Sequence, residues 1–441
     1  MSRRSRGSNV WQVRASALAR NTHNLIRSIV DDLKVEPNPE KPFIALSVGD
    51  PTTFGNLNPP EQVLQSIRES IDWNKSRSYG PAVGHLDARQ AVAEYSAHQG
   101  NVAAEDVILC SGCSHAIEMV IAVLADSGQN ILVPRPGFMI YKTLAEGLGI
   151  NLKYYNLLPD QQWKADLDDL ESKIDDDTAL IVVINPSNPC GSVYNKEHLL
   201  EILDIASKNR VPILADEIYE HFVFSGNEFV AISSLSKDVP VLTCSGLTKR
   251  FLVPGWRMGW VIIHDRNDIL GKDVRKGLIN FASRILGPNT LIQRALPSIL
   301  RNTPQSFFDE VVLFIESQAK LAYSELRRAP GLRPIMPQGA MYMMVEIKMS
   351  QFPKFKNELQ FVERMVSEQS VFCLPGQCFD CPNFVRIVLT VPEEILLEAC
   401  RRITVFCKDH IISGEKLKGI DANVVTVANE PKVICGLSRV A

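Results

Sequence analysis

The sequence predicts an α/β fold in which helices enclose a mostly parallel sheet, followed by a smaller α+β domain. Apolar runs of strand length alternate with segments of helical periodicity, and several of these runs end in small or polar residues. This alternation is typical of a parallel sheet covered on both faces. At 441 residues, the chain exceeds the usual length of one domain and is long enough to bury a large core.

The predicted elements follow the apolar periodicity along the chain. Helices are predicted over 17–33, 61–71, 85–98, 114–125 and 307–329, the fourth with an apolar face built from Ile117, Val120, Ile121 and Leu124. Strands of the large sheet are predicted over 107–110, 130–134, 180–185, 213–216, 241–244 and 259–264. Two further strands, 340–345 and 385–389, are assigned to the smaller domain.

Five segments are predicted from these elements. Residues 1–10 form a flexible basic head, and 11–60 form an arm and part of the small domain, with Pro37, Pro39 and Pro42 as a stiff connector. Residues 61–325 form the large domain and 326–411 the small C-terminal domain. The tail, 412–441, is unassigned.

Lys249 lies in the most informative segment of the chain. The strand 241–244 runs into small residues before this lysine, and Arg257 follows eight residues later in a Gly-rich turn. A lysine amine forms a Schiff base with an aldehyde, and a guanidinium pairs bidentately with a phosphate. The segment therefore suits a ligand that carries both groups, although most lysines are solvated surface charges.

Two distant segments supply the remaining contacts that such a ligand needs. Asp216 ends the strand 213–216, and Asn188 follows the strand 180–185. In an open α/β sheet, ligands bind beyond the carboxyl ends of the strands, where we expect these side chains to meet. An aspartate there can hold a proton on a pyridine nitrogen, and an asparagine can donate to a ring oxygen. The three segments together indicate a pyridoxal 5'-phosphate site.

The chain resembles the fold-type I aminotransferases over about residues 11–410. The motifs that carry the resemblance are 47–52, 54–57, 111–114, 133–138, 185–191, 211–219 and 249–260. The match is much broader than a single motif. It implies a mostly parallel seven-stranded sheet, pyridoxal 5'-phosphate as cofactor and transfer of an amino group between an amino acid and a 2-oxo acid.

The resemblance implies a catalytic role for Lys249, Asp216 and Tyr219, and a cofactor contact for Asn188. Lys249 binds the cofactor aldehyde, is displaced by the substrate amine and then moves the Cα proton as a general base. Asp216 keeps the pyridine nitrogen protonated, so that the ring accepts electrons. Tyr219 and Asn188 hydrogen-bond the phenolic oxygen of the ring. Considered alone, Asp216 also suits a helix-capping acid and Tyr219 a core aromatic, but their joint spacing favours the cofactor.

Phosphate binding is assigned to two segments. Gly112, Cys113 and Ser114 begin a helix, where free backbone amides and the helix dipole favour an anion. Arg257 supplies a positive charge. Ser245 is expected to add a hydroxyl, although many relatives carry a serine or threonine one position later, where this chain has a glycine.

A partner subunit is expected to complete the site. Tyr79 matches a family tyrosine that reaches the phosphate from the neighbouring chain, so the resemblance implies a homodimer with shared active sites. The alternative is an aromatic residue packed locally in its own turn. Neither alternative involves nucleic acid or a membrane.

Substrate contacts are also implied by the resemblance. Arg386 is expected to bind the α-carboxylate bidentately, with Asn188 and the backbone amide of Gly49 beside it. Phe138 is expected to stack on the cofactor ring. Without the family context, Arg386 would be interpreted as a surface residue of a strand.

Composition excludes several other classes of function. Lys and Arg number 47 against 50 Asp and Glu, a formal charge of −3, which indicates no general attraction to nucleic acid. We find no apolar run of membrane-spanning length and no signal peptide. Ten cysteines in apolar or turn contexts suit a reducing compartment. Cys378 and Cys381 form a lone CxxC, and the histidines show no metal motif, so we expect no metal.

The first 30 residues contain six arginines and no acidic residue. This composition is compatible with a mitochondrial transit segment. A flexible basic head and a cytoplasmic location are favoured, because cleavage deep in this region would remove residues that belong to the resemblance.

The donor and acceptor are expectations from the resemblance alone. They are an aromatic L-amino acid, with tyrosine first, and 2-oxoglutarate. A broad-specificity kynurenine or alanine aminotransferase and a C–S lyase with the same site remain open. A regulator that only senses the cofactor is the non-enzymatic alternative, but it would need a DNA-binding module, and the residues before Trp11 are too few to form one.

Overall fold

The computed structural model describes residues 11, 13–24, 26, 28, 29, 35–73 and 77–412. The predicted head (1–10) and all but the first residue of the tail lie outside this range. Its strands are β1 Ile44–Ala45, β2 Val107–Cys110, β3 Asn130–Arg135, β4 Asn151–Leu158, β5 Lys164–Ala165, β6 Thr178–Ile184, β7 Ile213–Asp216, β8 Val241–Gly246, β9 Gly259–His264, β10 Leu332–Pro334, β11 Tyr342–Ile347, β12 Val371–Phe372, β13 Leu374–Pro375 and β14 Phe384–Val388.

The α-helices cover the sheets and connect their strands. Their bounds are Ala17–Asn21, Glu61–Asp72, Leu86–Tyr95, Cys113–Leu124, Ile140–Leu148, Leu167–Lys173, Lys196–Asn209, Ile232–Leu235, Gly271–Ala282, Thr290–Asn302, Gln305–Leu326, Glu358–Gln369 and Glu393–His410. The predicted helix 17–33 begins at Ala17 but is interrupted, because its first helical segment ends at Asn21 and residues 22–24 are not helical. Among the described helices, none is both long and apolar enough to span a membrane.

The large sheet has the strand order β2-β9-β8-β7-β6-β3-β4-β5 in the described part of the chain. Strands β8, β7, β6, β3 and β4 run parallel, whereas β9 is antiparallel to both of its neighbours. The expected seven strands are present, and the two-residue strand β5 adds an eighth at one edge. Periodicity did not predict β4, because this strand is mostly half-exposed and mixes apolar with polar residues without a regular period.

Alternate residues of β6 belong to two different cores. Ile181 and Val183 pack in the core that contains the helix Lys196–Asn209, whereas Leu180, Val182 and Ile184 pack on the side of the helix Cys113–Leu124. Successive side chains of a strand point to opposite faces, so both faces of this sheet are covered. A strand buried on both faces is a continuous apolar run, which explains why the sequence pattern revealed it.

The C-terminal part of the chain contains a second, antiparallel sheet of order β10-β11-β14-β13. The short strand β12 forms a separate two-stranded sheet with β1, in parallel, with Ile44 opposite Val371. An N-terminal segment therefore lies beside C-terminal strands. The boundaries of the two domains stay a prediction.

The carboxyl ends of the parallel strands lie together along one edge of the large sheet. Ile184, Asp216 and Cys244 lie side by side at the carboxyl ends of β6, β7 and β8. Because β9 runs the opposite way, the residues that precede it, including Arg257, reach the same edge. The chain thus brings four sequence-distant segments to one place.

Candidate active site

A cavity of about 530 Å³ opens at this edge of the sheet. Ten of the thirteen predicted site residues line it: Gly49, Cys113, Ser114, Phe138, Asn188, Asp216, Tyr219, Lys249, Arg257 and Arg386. The cavity lies between the large sheet and strand β14 of the second sheet. The roles assigned to these residues stay predictions, but their convergence is a property of the fold.

Lys249 lies three residues beyond β8 and is partly buried. Its Nζ donates a hydrogen bond to the backbone carbonyl of Gly49, and it lies 5.8 Å from the centre of the Tyr219 ring. A carbonyl is a neutral partner, so the amine is not committed to an ion pair with a carboxylate at this position. The amine is therefore placed to react with an aldehyde in the cavity.

Asp216 is buried at the floor of the cavity, with 3% of its surface exposed. The Tyr141 hydroxyl donates to Oδ2 at 2.6 Å, and the Cys113 thiol lies 3.8 Å from Oδ1. Burial raises the pKa of Asp216, although these hydrogen bonds oppose the shift. A cationic N–H placed against the carboxylate would offset the cost of burying its charge. The protonated pyridine nitrogen of the expected cofactor is such a group, so Asp216 fits it.

Two tyrosine hydroxyls meet beside the lysine. The oxygens of Tyr219 and Tyr342 lie 2.8 Å apart, and both side chains are buried. Burial raises the pKa of Tyr219. For Tyr342 burial acts in the same direction, but the charges of Lys249 and Arg386 outweigh it and lower the pKa. Lys249 and Arg386 therefore place positive charge beside this pair of hydroxyls.

Arg386 is held at the other end of the cavity, where 3% of its surface is exposed. Its Nη1 donates to Oδ1 of Asn188 at 2.9 Å and its Nη2 to the carbonyl of Ser47 at 2.8 Å. The guanidinium carbon lies 4.2 Å from the centre of the Tyr342 ring. The Nε–H is buried and has no partner among the described residues, and burial lowers the pKa of the group. An incoming carboxylate would satisfy both the charge and the free donor.

The opposite end of the cavity has the character of an anion site. The helix Cys113–Leu124 begins there, and Gly112 adopts a φ of +82° just before it. A Cβ on Gly112 would lie 2.5 Å from Nη2 of Arg257, so the guanidinium crosses directly over the start of the helix. Positive charge beside free helix amides favours a bound phosphate. The residues present at both ends and at the floor therefore fit pyridoxal 5'-phosphate.

Three predicted site residues do not line the cavity. Gly112 lies behind Arg257, which its lack of a side chain allows to approach. Ser245 is buried, and its hydroxyl donates to Oε1 of Glu220 at 3.3 Å. Tyr79 is 87% exposed, so within one chain it takes no part in the site. In contrast, Thr248, which was not predicted, lines the cavity near Lys249.

Sequence reasoning also missed other residues that shape the cavity. Tyr141 lies in the helix Ile140–Leu148, and only folding brings its hydroxyl to Asp216. Tyr342 begins β11, within a run predicted as an ordinary apolar strand. The remaining unpredicted lining residues are Ile26, Ser47, Val48, Ile117, Ile218 and Leu374. For Tyr342, the local signal in the sequence was the presence of a tyrosine within an apolar run.

Residues 41–403 match the family model described as aminotransferase class I and II. The chain is 54% identical over 406 residues to a tyrosine aminotransferase of Homo sapiens, covering 92% of this chain and 89% of that protein. A tyrosine aminotransferase structure from Leishmania infantum superposes with a TM-score of 0.88 at 31% identity, covering 92% of this chain and 100% of that one.

An alanine aminotransferase structure from Pyrococcus furiosus superposes with a TM-score of 0.84 at 31% identity, covering 90% of this chain and 100% of that chain. The predicted fold class and the family resemblance are confirmed by these similarities together with the mixed α/β architecture. A family model that spans this much of the sequence identifies the enzyme class. The chain therefore belongs to the class I and II aminotransferases.

Proposed function

We propose that this aminotransferase holds pyridoxal 5'-phosphate through Lys249 and transfers the α-amino group of an aromatic L-amino acid, with tyrosine first, to 2-oxoglutarate. One observation carries the proposal: a single cavity combines the Lys249 amine, the buried Asp216 carboxylate and two guanidinium groups at opposite ends. The relative from Homo sapiens, which is named tyrosine aminotransferase, supports the choice of donor.

When bound, pyridoxal phosphate supplies an electron sink for the pair of electrons left when a proton leaves the substrate Cα. Asp216 holds the positive charge of the pyridinium nitrogen at the floor of the cavity. With the cofactor bound, Lys249 would accept the proton from the substrate Cα as a general base and would then deliver it, as a general acid, to C4′ of the cofactor. The hydroxyls of Tyr219 and Tyr342 hydrogen-bond each other beside this amine.

Substrate orientation is assigned to Arg386 and its neighbours. The guanidinium receives the α-carboxylate of either an amino acid or a 2-oxo acid, with its Nε–H as the free donor. Asn188 uses Oδ1 to hold Arg386, which leaves its NH₂ group to donate to the cofactor ring oxygen. Apolar side chains on both sides, among them Phe138 and Ile218, exclude water from the reacting atoms.

We propose a homodimer in which Tyr79 of each chain contacts the phosphate in the site of its partner. The exposure of this aromatic side chain within one chain supports its burial in an interface.

We also propose a cytoplasmic location. The nine described free cysteines are all buried, which suits a reducing compartment, as in the cytoplasm or the mitochondrial matrix. Fractionation of cells with an antibody to the chain distinguishes the two.

The test is a half-reaction screen of purified protein. L-Tyrosine should convert the cofactor absorbance to that of its amine form, and 2-oxoglutarate should restore it. L-Kynurenine and L-alanine test the broad-specificity alternative, and release of pyruvate from a cysteine conjugate tests lyase activity. Borohydride reduction followed by peptide mapping should place the cofactor on Lys249. A label on another residue, or a tyrosine reaction no faster than that of alanine, would contradict the proposal.

A further inference from the structure

Two histidines and a glutamate converge outside the cavity, directly after Tyr219. His98 belongs to the short 3₁₀ segment Ala97–Gln99, and Glu220 and His221 follow the active-site tyrosine in sequence. The Nε2 atom of His98 lies 3.1 Å from Oε2 of Glu220, and Nε2 of His221 lies 3.5 Å from its Oε1. One nitrogen of each ring and one carboxylate oxygen lie within 4.8 Å of one another.

The carboxylate of this cluster is fixed in place by neighbouring side chains. Only 3% of the surface of Glu220 is exposed. Gln99 donates its amide to Oε2 at 3.1 Å, and Ser245 donates its hydroxyl to Oε1 at 3.3 Å. Outer hydrogen bonds of this kind orient the ligands of metal sites. His98 also hydrogen-bonds Oε2 at 3.1 Å, so a cation held by both groups would take the place of the proton that they share.

His221 provides a second and independent observation. Its Nε2 is buried and has no hydrogen-bond partner among the described residues, although it faces Glu220. A buried polar nitrogen without a partner is uncommon in a folded protein, where a water molecule or an ion usually satisfies such an atom. The side chain of His98 is 34% exposed and that of His221 26%, so solvent ions reach the cluster from outside.

We propose that His98, Glu220 and His221 bind a divalent transition-metal cation of the zinc class, with water as the fourth ligand. Two imidazole nitrogens and one carboxylate are a ligand set that tetrahedral zinc takes when one position stays open. With metal–ligand distances of about 2.0–2.1 Å, ligand atoms lie roughly 3.3 Å apart, so small side-chain rotations close the observed spacing.

Glu220 supplies the negative charge that a bound cation needs, and Arg250 is an opposing positive charge near His221. The Arg250 guanidinium donates to the Tyr95 hydroxyl at 2.7 Å, and its carbon lies 4.0 Å from the centre of the Phe308 ring. Bound metal would join the segment that contains His98 to the turn after Tyr219, 121 residues later in the chain. We therefore expect it to stabilise the fold, independently of the reaction that the enzyme catalyses.

The test is a titration of chelator-treated holoenzyme with Zn²⁺ and Co²⁺. Wild-type protein should bind one ion per chain, with a rise in Tm, and Co²⁺ should give the visible bands of a tetrahedral site. His98→Gln and His221→Gln should each weaken binding by at least about tenfold and remove the bands. His23→Gln, which replaces an exposed histidine, is the matched control and should bind like wild type.

Two outcomes would overturn the site. The first is wild-type protein that binds no Zn²⁺ at micromolar concentration. The second is equal affinity in wild type and both variants, which would place the ion elsewhere, for instance on the cofactor. Since His98 lies at the surface, its replacement should leave the fold intact even if the replacement at His221 does not.

Discussion

Arg386 is a buried guanidinium whose Nε–H has no hydrogen-bond partner in the described part of the chain. An unsatisfied buried donor costs about 1–3 kcal/mol, so the fold carries this cost until a ligand arrives. The Tyr342 ring against its face and the Asn188 oxygen fix its orientation in advance. Substrate binding is therefore expected to need little rearrangement of the arginine.

Replacing Tyr342 with phenylalanine tests the hydroxyl pair without removing the ring that supports Arg386. The Tyr219 hydroxyl would lose its 2.8 Å partner. A lost hydrogen bond of about 1–1.5 kcal/mol corresponds to a fall in kcat/KM of roughly tenfold. Steady-state kinetics with tyrosine and 2-oxoglutarate measure it. Tyr323→Phe, at a partly buried tyrosine outside the cavity, is the control. Equal kcat/KM in both variants would show that the hydroxyl pair contributes nothing.

At the scale of elements, the turn between β2 and the helix Cys113–Leu124 depends on a close approach. Gly112 combines a left-handed φ with contact to Arg257, so alanine there is strained and also displaces the guanidinium. We expect Gly112→Ala to weaken cofactor binding by at least about tenfold, since a charge-assisted phosphate contact contributes roughly 1.5–3 kcal/mol.

Titration of cofactor-free protein with pyridoxal 5'-phosphate measures this loss. Gly255→Ala is the matched control: it lies in the same Arg257 turn, and an added Cβ would meet no atom within 4 Å. If both variants bind the cofactor as tightly as wild type, Arg257 does not hold the phosphate.

Strand β9 ends in a buried histidine, His264, whose ring nitrogen lies 3.2 Å from Oε1 of Gln99. Burial lowers its pKa to about 4, with further lowering by Arg266 and His98 and opposition from Asp106. Between about pH 6.5 and this value, the unfolded chain binds a proton that the folded chain does not. Stability from this residue is therefore complete above pH 6.5 and falls as the pH drops toward 4.

The expected loss for His264 approaches about 3 kcal/mol, since one pKa unit corresponds to about 1.36 kcal/mol. The Tm of the wild-type protein should fall between pH 7 and pH 4.5, and the Tm of His264→Gln should fall less steeply over this range. The exposed His23→Gln variant should keep the wild-type slope. An identical slope in all three proteins would contradict the assignment.

At the scale of the whole molecule, two packed parts of the chain form one cavity. Lys249 and Asp216 come from the large sheet, whereas Arg386 lies on β14, and one continuous apolar core joins the two sheets. The distance between the reacting amine and the carboxylate-binding arginine therefore depends on how the sheets pack. Mutations in that shared core are expected to alter kinetics as well as stability.

Complementation tests the proposed dimer with shared sites. Tyr79→Ala and Lys249→Ala chains should each be poorly active alone, Lys249→Ala by at least about a thousandfold because it lacks the general base. In a mixed dimer, one site would carry both changes and the other neither. Random mixing should therefore restore about a quarter of the wild-type sites. No recovery in mixed dimers isolated by two affinity tags would refute a shared site.

Much of this organisation was predictable from local pattern. The predicted strands 107–110, 213–216 and 259–264 coincide with β2, β7 and β9, because strands buried on both faces are apolar over most of their length. The half-exposed β4 and the residue Tyr141 were not predicted, since a mixed pattern or a lone aromatic has no unique local interpretation. The family resemblance supplied most of the site residues, and ten of them line one cavity.

The amino-acid sequence by itself determined the alternation of strands and helices, the enzyme family and the identity of the lysine, the acid and the arginines. These follow from covalent order, since short-range periodicity and motif spacing are properties of neighbouring residues. Only the tertiary structure decided that Ser245 bonds Glu220, that Tyr342 meets Tyr219, and that His98 approaches His221. Such contacts join residues far apart in the chain, and they depend on the packing of the whole core.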